Sequence, residues 1–378
     1  MFGWEFPPHN TGGLGTACYG LTKSLSRQGV DVSFVLPRKV DVNEDFLEFL
    51  FADVSRASMI NAYSSFTQAG KEYCNSLLEA VNKYADRVDA LIKSLEFDVI
   101  HAHDWLTIKA GIRAKELTGK PLIMHVHATE FDRTGGNGVN QAVYNIERRG
   151  MHESDLVITV SNFTKDKIVK HYGVDPQKVV VVHNGVELPL VYRVRQYKKD
   201  KRIVLFLGRL TLQKGPDYFL RAARKVLYHC PKTLFLMAGK GDMMPLLIDK
   251  SIELGVSDNF IFTGYLREKD KKSVYQMADL FVMPSVSEPF GITPLESLIN
   301  GTPVIISRQS GVSEVLSHCL KVDFWDVNQL TNKIVSVLNH QPLHDCLSIN
   351  GCLEAAKLNW DEPAARCAEV YNNLISGS

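Results

Sequence analysis

A loop with two nearby carboxylates follows one of the strands that the sequence predicts. The segment SVSEPFGITPLE begins after a strand that ends at Pro284, and it carries Glu288 in a loop and Glu296 near the start of a helix. Open α/β sheets bind ligands at the carboxyl ends of their strands, where the N–H groups of residues 291–295 would face a phosphate. Glu296 has a structural alternative, because Thr293 and Glu296 have the spacing of a helix capping box.

Two cations follow another predicted strand in the same half of the chain. Arg209 and Lys214 lie five positions apart in the segment Gly208–Gly215. The planar fork of arginine and the point charge of lysine together suit a diphosphate. The alternative, when the two side chains are taken alone, is that they are solvated at the protein surface and bind no ligand. Their place at the same predicted sheet edge as Glu288 favours a diphosphate clamp.

Histidine pairs occur at two strand ends in the first half of the chain, in the segments His101–Trp105 and His125–Glu130. Residues two apart on a strand point to one face, a spacing that also occurs in metal sites. No carboxylate or cysteine completes a ligand set, so we expect no metal ion. A polar pocket is the more economical interpretation. In it, His127, Asp104 and Trp105 face a hydroxylated ligand, and the indole offers a flat face to a sugar ring.

A glycine-rich segment with Gly12, Gly13 and Gly15 precedes a helical pattern over Ala17–Arg27. Glycine lets the backbone turn tightly against a ligand, and the N-terminus of the helix offers N–H groups to an anion. A tight turn without a ligand is the alternative. Only Met1–Trp4 stands where a strand should precede the glycines, so we predict that the start of the chain is truncated or misassigned.

Two common nucleotide-binding patterns are poorly matched. The nearest approach to G-x-G-x-x-G is the segment Gly239–Met244, which has methionine in place of the third glycine. No acidic residue about 20 positions further on is placed to hold a ribose. The pattern G-x-x-x-x-G-K-[ST] is absent from the sequence, which disfavours a P-loop kinase.

The elements that position these side chains are short apolar runs alternating with longer stretches of helical period. This alternation is typical of a parallel α/β fold, and continuous Val, Ile and Leu runs suit strands covered by helices on both faces. The predicted strands are Val32–Leu36, Val99–His103, Leu122–His127, Leu156–Ser161, Val179–His183, Ile203–Leu207, Leu234–Ala238, Phe260–Thr263, Leu280–Pro284 and Val304–Ser307. The strands fall into two sets separated by a break, which predicts two doubly wound domains.

The break covers residues 188–202, in which six residues are basic without any period. We interpret it as a solvated linker between domains 1–187 and 203–360. A patch for an anionic membrane surface is the alternative, and we do not expect such an association. The stretch Val40–Glu96 has helical period and no strand signal, so it predicts a helical excursion from the first domain.

Composition and charge exclude several classes of protein. At roughly 150 residues per domain, 378 residues correspond to two or three domains, and 45% hydrophobic with 22% charged residues excludes disorder. The net charge of +1 gives no global attraction to nucleic acid. The seven scattered cysteines indicate a reducing compartment and no zinc ribbon. With no apolar run of about 18 residues and no leader pattern, we expect a cytoplasmic protein.

Taken together, the motifs resemble retaining glycosyltransferases of two Rossmann-like domains, and most closely those of family four. The resemblance covers nearly the whole chain. It rests on the glycine-rich segment, the His103-Asp104-Trp105 triplet, His127, Arg209 with Lys214, the Glu288/Glu296 pair and the segment Gly301–Val304. It implies two doubly wound domains that face each other across a cleft, the GT-B type. Trp360 resembles the point where the last helix, residues 361–378, crosses back to the N-terminal domain.

The resemblance implies that the C-terminal domain binds a nucleotide-sugar donor and the N-terminal domain binds the acceptor. By position, Arg209 and Lys214 would neutralise the leaving diphosphate. Glu288 would contact hydroxyls of the donor sugar, and Glu296 would contact the ribose.

Further site residues are also implied by the resemblance. The base would stack near Gly264 and Tyr265, and His127 would lie beside the anomeric carbon, where its carbonyl or its ring supports the developing positive charge. The other residues implied in binding are Gly12, Gly13, Gly15, Asp104, Trp105, Phe290, Gly291, Ile292 and Thr293.

The implied activity is the retaining transfer of a hexose such as glucose, from ADP-glucose or UDP-glucose, to a glycan or another hydroxyl acceptor. Protein cations act where the leaving group becomes negative, so we expect no divalent metal and no cofactor. A nucleotide-sugar epimerase or a phosphorylase of the same fold is an alternative, although no signal for a pyridoxal lysine is present. A non-catalytic protein that binds nucleotide sugars or glycans is another.

Some features also resemble starch and glycogen synthases, namely the start of the chain and the His-Asp-Trp triplet. Those enzymes carry lysine where this chain has Asn10, and they usually lack the carboxylate that Glu296 supplies here. Glucan synthesis is therefore not implied, and the acceptor stays open.

Overall fold

The structure is a computed structural model that describes residues 1–9, 12–54, 68–93, 95–136, 138–188 and 201–377, with the side chains of residues 68–76 left out. It consists of two compact units. Unit 1 comprises Met1–Gly185 together with Trp360–Ser378, and unit 2 comprises Val186–Asn359. Most of the predicted linker, residues 189–200, lies outside the described residues.

Unit 1 contains parallel strands whose side chains are mostly buried. The strands are β1 (Ser33–Leu36), β2 (Glu48–Phe51), β3 (Ile100–His103), β4 (Leu122–Val126), β5 (Leu156–Thr159) and β6 (Val179–Val181). β1 pairs with β2, and β3 to β6 pair in sequence order. Phe2 forms single parallel bridges to Val35 of β1 and Ala102 of β3, so it joins the two groups of strands.

Helices connect and cover the strands of unit 1. They are α1 (Gly13–Arg27), α2 (Gln68–Asp86), α3 (Val88–Ile92), α4 (Trp105–Thr118), α5 (Glu130–Arg133), α6 (Gln141–Glu153), α7 (Asn162–Lys167) and, from the end of the chain, α14 (Asp361–Ser376). α14 packs on α1, where the Ser24 hydroxyl donates to the Asp361 carboxylate at 2.6 Å. A Cβ atom on Gly20 would lie 2.2 Å from the Trp360 indole, so the glycine permits this close packing.

Unit 2 is a single six-stranded parallel sheet covered by helices. Its strands are β7 (Arg202–Leu207), β8 (Thr233–Ala238), β9 (Phe260–Gly264), β10 (Leu280–Met283), β11 (Val304–Ser307) and β12 (Leu320–Val322), in the order β12-β11-β10-β7-β8-β9. Its helices are α8 (Pro216–His229), α9 (Met244–Glu253), α10 (Glu268–Met277), α11 (Ile292–Ile299), α12 (Val327–Asn339) and α13 (Gln341–Ala355). Phe219 of α8 packs edge-on against Phe235 of β8 in its core.

The predicted α/β class with parallel sheets is confirmed, and every predicted strand is present within a few residues of its expected bounds. Two strands, β2 and β12, are additional. The expectation that Val40–Glu96 contains no strand is wrong, because β2 lies within it and pairs with β1. The helical expectation holds for α2 and α3, whereas residues 55–67 lie outside the described part of the chain.

None of the helices in the described part of the chain combines the length and the apolar character that crossing a bilayer requires. The described cysteines, Cys18, Cys230, Cys319, Cys346, Cys352 and Cys367, are all free thiols.

Candidate active site

In unit 2, the loops that follow β7, β8 and β9 interlock at the carboxyl edge of the sheet. The N–H of Leu210 donates to the carbonyl of Lys240 at 2.9 Å, and the N–H of Gly239 donates to that of Gly264 at 2.8 Å. Gly239 has a φ of 143°, and a Cβ atom there would lie 1.8 Å from the Gly208 carbonyl oxygen. Only glycine fits this close approach, which fixes the loop that carries Arg209.

Lys214 and Glu288 form an ion pair between the loops after β7 and β10. Lys214 Nζ lies 2.5 Å from Glu288 Oε2, and the two side chains are 19% and 8% exposed. The hydroxyl of Ser285 donates to the same carboxylate oxygen at 3.2 Å. The backbone of Glu288 pairs with that of Ser310 after β11, so three loops hold this carboxylate in place.

Arg209 is positioned by a residue that the sequence analysis does not single out. Its Nη2 donates to Gln213 Oε1 at 3.1 Å, and Gln213 is buried. The Gln213 carbonyl accepts from the N–H of Val286 at 2.9 Å, so Gln213 also ties the loop after β7 to the loop of Glu288. The predicted neighbours Arg209, Lys214 and Glu288 therefore belong to one connected set of loops.

The helix that follows Glu288 begins earlier than predicted. α11 starts at Ile292, its N-cap is Gly291 with a φ of 103°, and no side chain caps it. The alternative in which Thr293 and Glu296 form a capping box is excluded, because both residues lie inside the helix. Its first turn, with Ile292 and Thr293, offers backbone N–H groups at the same sheet edge as Glu288, whereas Phe290 is buried.

Glu296 lies in a second polar group of unit 2. The hydroxyl of Tyr275 donates to Glu296 Oε2 at 2.7 Å. Burial raises the pKa of Glu296, and the charge of Lys271 with the Tyr275 hydrogen bond opposes this shift. Tyr265 follows Gly264 at the end of β9 and is 49% exposed. The assignment of a ribose and a base to this region stays a prediction.

In unit 1, Asp104 holds the loop that carries His127. Asp104 directly follows β3 and is the N-cap of α4, with a φ of 61°, a value rare for residues other than glycine. Its Oδ1 accepts the N–H groups of His127 at 2.6 Å and Ala128 at 3.3 Å. Burial raises the pKa of Asp104 to about 6, against the opposing charge of Arg133. The backbone strain and the two hydrogen bonds together fix the ends of β3 and β4.

The rings of His127 and Trp105 are both engaged inside unit 1. His127 Nε2 lies 3.0 Å from His103 Nδ1, and burial lowers the pKa of His127 to about 3, so its imidazole is neutral at neutral pH. Trp105 is only 4% exposed. The prediction that this indole offers an open face to a sugar is therefore corrected, because Trp105 is a core side chain at the start of α4.

The histidines of β3 and β4 form one buried cluster with His127, which the sequence suggests only as two separate pairs. His101 Nε2 lies 3.1 Å from His125 Nδ1, and His101 Nδ1 lies 2.7 Å from the hydroxyl of Tyr371 on α14. Burial lowers the pKa of His101, His103 and His125 well below the usual value.

The glycine-rich segment is helical rather than a loop. Gly13 and Gly15 lie in the first turn of α1, and Gly12 is its N-cap. The N–H of Gly15 donates to the buried carboxylate of Glu5 at 3.2 Å. This helix N-terminus thus has a protein carboxylate beside it, and a contact of these glycines with a ligand stays a prediction. Asn10 lies outside the described residues.

A buried ionic network supports the turn after His127, and the sequence analysis does not find it. Arg133 donates to the Ala128 carbonyl at 3.0 Å and to Glu130 Oε2 at 3.0 Å, and it also contacts Glu147. The Tyr172 hydroxyl donates to Glu147 as well. The sequence gives little indication of this network, because Glu147 and Tyr172 are 25 positions apart in the chain and belong to different helices.

Family models match both halves of the chain. Residues 11–189 match the family described as Glycosyltransferase Family 4, and residues 192–352 match the family described as Glycosyl transferases group 1. A relative in Methanocaldococcus jannaschii, described as an uncharacterised glycosyltransferase, is 32% identical over 84% of this chain and 82% of its own. The glycogen synthase of Mycobacterium tuberculosis is 28% identical over 84% of this chain and 79% of its own.

Solved structures of similar fold cover the whole chain. Sucrose-phosphate synthase from Thermosynechococcus elongatus superimposes with a TM-score of 0.84 at 19% identity, over 100% of this chain and 98% of that one. The catalytic domain of starch synthase IV from Arabidopsis thaliana, bound to ADP and acarbose, gives 0.74 at 15% identity over 99% and 98%.

Fold and sequence together define a glycosyltransferase of the GT-B type, with two Rossmann-like domains. The chain belongs to glycosyltransferase family 4. The predicted family resemblance, including the likeness to glycogen synthases, is confirmed.

Proposed function

We propose that this glycosyltransferase transfers a hexose such as glucose from ADP-glucose or UDP-glucose to a glycan or a small hydroxyl acceptor, with retention and without a metal ion at the donor. The observation that carries the proposal is the Lys214–Glu288 pair, 2.5 Å apart, with Arg209 in the same connected loops of unit 2. This arrangement places two cations and one carboxylate at the sheet edge where parallel α/β folds bind nucleotides.

The two cations suit the leaving group of this reaction. Cleavage of the bond between the anomeric carbon and the phosphate oxygen leaves a nucleoside diphosphate with added negative charge. We assign Arg209 and Lys214, with the N–H groups of the first turn of α11, to that charge. Fixed cations at this place do what a divalent ion does in other transferases, so the donor needs no metal.

The carboxylate of Glu288 suits recognition of the sugar. Lys214 and Ser285 each donate to Oε2, which leaves Oε1 to accept hydroxyl groups of a hexose. A carboxylate held by a cation and a hydroxyl is a weak nucleophile, which disfavours a covalent glycosyl-enzyme. We therefore assign retention to attack by the acceptor hydroxyl on the face that the diphosphate leaves, with the hydroxyl proton passing to a phosphate oxygen.

In unit 2 we assign the ribose to Glu296 and the base to the neighbourhood of Gly264 and Tyr265. In unit 1 we assign acceptor binding to the loops at the ends of β3 and β4. The ring of His127 does not serve as a general acid at neutral pH, because with a pKa of about 3 the protonated imidazolium form is not populated there. His127 then contributes through its backbone, which the hydrogen bond from its N–H to Asp104 holds in place.

The test measures binding and turnover separately with ADP-, UDP- and GDP-glucose. We expect a thermal shift with one of the three nucleotide sugars and release of the nucleoside diphosphate, with the α-anomer in the product by NMR when the donor is an α-glucoside. Glu288→Gln should lower turnover by about 100-fold or more while the Kd for the nucleotide changes only a few-fold. The matched control is Glu253→Gln, an exposed glutamate of α9 in the same unit.

Three outcomes would overturn parts of this proposal. Normal turnover in Glu288→Gln would remove Glu288 from the site. Nucleotide binding without release of a diphosphate from any donor, across a panel of glycan acceptors, would indicate a binding protein. Conversion of UDP-glucose to an isomeric nucleotide sugar would indicate an epimerase.

A further inference from the structure

Three histidines of unit 1 lie on one face of adjacent strands. His101 and His103 are two apart on β3, and His125 of β4 is the register partner of His103. Their side chains therefore point to the same side of the sheet, where Tyr371 of α14 contacts His101. All three residues are at least 98% buried. The cluster lies in unit 1, separate from the residues assigned to the donor.

The nitrogen atoms of the three rings are close enough to share one ion. One ligand nitrogen from each ring lies within 4.8 Å of the others. His101 Nε2 and His125 Nδ1 are 3.1 Å apart, close to the separation of about 3.3 Å that follows from tetrahedral zinc with Zn–N bonds of about 2.0–2.1 Å. The third nitrogen lies within 4.8 Å of the other two, so a movement of at most about 1.5 Å would bring it to this spacing.

Two of these rings have a buried nitrogen without a hydrogen-bond partner. The Nε2 atoms of His103 and His125 are fully buried and make no hydrogen bond within the described part of the chain. Buried polar atoms are almost always satisfied, so Nε2 of His103 indicates a missing partner, which an ion shared with Nε2 of His101 and Nδ1 of His125 would supply.

Outer hydrogen bonds already orient two of the rings. Tyr371 contacts Nδ1 of His101, and His127 contacts Nδ1 of His103. Both contacts leave Nε2 of the ring for a ligand. Histidines that bind metals are usually held in this way through their second nitrogen.

We propose that His101, His103 and His125 bind one divalent transition-metal ion, with Zn²⁺ as the best match. A set of three imidazoles suits Zn²⁺ and its neighbours in the transition series rather than Mg²⁺ or Ca²⁺, which prefer oxygen. Three protein ligands leave a fourth position for a non-protein ligand such as water. The ion ties β3 to β4 next to the loops of Asp104 and His127. From the sequence alone no metal is expected, because each histidine pair by itself lacks a third ligand. In the structure the neighbouring strand supplies that ligand.

The test uses the untagged full-length protein, stripped of metal by dialysis against a chelator and then titrated with Zn²⁺. We expect binding of one ion per chain by calorimetry and a higher thermal midpoint. His103→Gln should weaken this binding by about 100-fold or more. Tyr371→Phe should weaken it by about tenfold, because this variant loses only the contact between the Tyr371 hydroxyl and Nδ1 of His101. His340→Gln, an exposed histidine of unit 2, is the control and should bind as the unchanged protein does.

Co²⁺ gives a second readout that does not depend on a variant that folds poorly. In the unchanged protein, one equivalent should produce the intense visible absorption of four-coordinate cobalt. A weak spectrum typical of six-coordinate cobalt would overturn the proposal. The absence of saturable one-to-one Zn²⁺ binding, or equal binding by His103→Gln, would also overturn it.

Discussion

Lys214 Nζ lies 2.5 Å from Glu288 Oε2, although 74 positions separate the two residues in the chain. The contact joins a loop after β7 to a loop after β10, and both side chains are largely buried. The cation that we assign to the diphosphate is thus already paired with the carboxylate that we assign to the sugar. Each residue holds the other in place, so the two roles depend on each other.

Loss of Lys214 alone should be more harmful to stability than loss of both charges. Lys214→Met leaves the carboxylate of Glu288 buried without its cation, which should lower the free energy of unfolding by about 2–4 kcal/mol. The double variant Lys214→Met/Glu288→Gln should recover about half of this loss, because a neutral amide needs no cation. Urea denaturation measures both values.

Lys232→Met serves as the control for this cycle, because Lys232 is an exposed lysine of the same unit. It should change the free energy of unfolding by less than about 0.5 kcal/mol. Additive effects of the Lys214 and Glu288 substitutions would show that the pair contributes no coupling energy.

Nucleotide binding should depend on the protonation of Glu296. Burial raises the pKa of this carboxyl group, so its acceptor form is present only above the raised pKa, and binding should weaken as the pH falls through that value. The hydrogen bond from Tyr275 opposes the shift. Tyr275→Phe should therefore move the midpoint of the binding profile to higher pH. Calorimetric titration with the nucleotide over a range of pH measures the midpoint.

Tyr228→Phe is the matched control, since Tyr228 is an exposed tyrosine of unit 2 and its hydroxyl contacts no carboxylate in the described residues. Its midpoint should equal that of the unchanged protein. A Tyr275→Phe midpoint that stays the same or moves to lower pH would contradict the assignment of Glu296 to the nucleotide.

The sequence predicts the strands and the loop chemistry of unit 2 well, because both depend on local patterns. The apolar run Leu280–Pro284 identifies β10. Glu288 follows this run by four positions, so it must lie in the loop after the strand. β2 escapes prediction because its strand is an edge with partly exposed side chains, and its apolar residues also fit a helical period. A pattern of four residues gives too little information to separate the two.

Contacts between distant residues are what the sequence does not predict. Gln213 positions Arg209 only because the turn before α8 buries its side chain. The histidine pairs of β3 and β4 become one cluster only through the register of His103 with His125, which a single strand does not specify. Thr293 and Glu296 have the spacing of a capping box, but Gly291 is the N-cap and the helix begins two residues earlier than that motif needs.

Replacement of Asp104 should separate its hydrogen bonds from its charge. Asp104→Asn keeps an oxygen that accepts the N–H groups of His127 and Ala128, so it should cost less than about 1 kcal/mol. Asp104→Leu leaves both groups without this acceptor and should lower the free energy of unfolding by about 2–3 kcal/mol, with a fall in kcat larger than the change in KM. Denaturation and steady-state kinetics test the two variants together.

Backbone strain contributes to the effect of leucine at this position, since a positive φ disfavours it. Asp53→Leu provides the control, because Asp53 has a φ of 52° and an exposed side chain. The excess loss in Asp104→Leu over Asp53→Leu then measures the hydrogen bonds. Equal losses would assign the whole effect to strain and would contradict a positioning role for the Asp104 carboxylate.

The rate of transfer should not respond to Mg²⁺ or Mn²⁺. In our proposal, Arg209 and Lys214 supply the positive charge that a divalent ion would otherwise bring to the leaving diphosphate. Initial rates with neither ion and with a saturating amount of each should agree within about twofold at equal ionic strength, since salt alone screens the attraction between the cations and the donor. Lys214→Met should lower the rate by about 100-fold or more. A strong activation of the unchanged protein by either ion would show that the two side chains do not suffice. Recovery of Lys214→Met by Mg²⁺ would instead support the assignment, because the ion would replace the charge that the variant lacks.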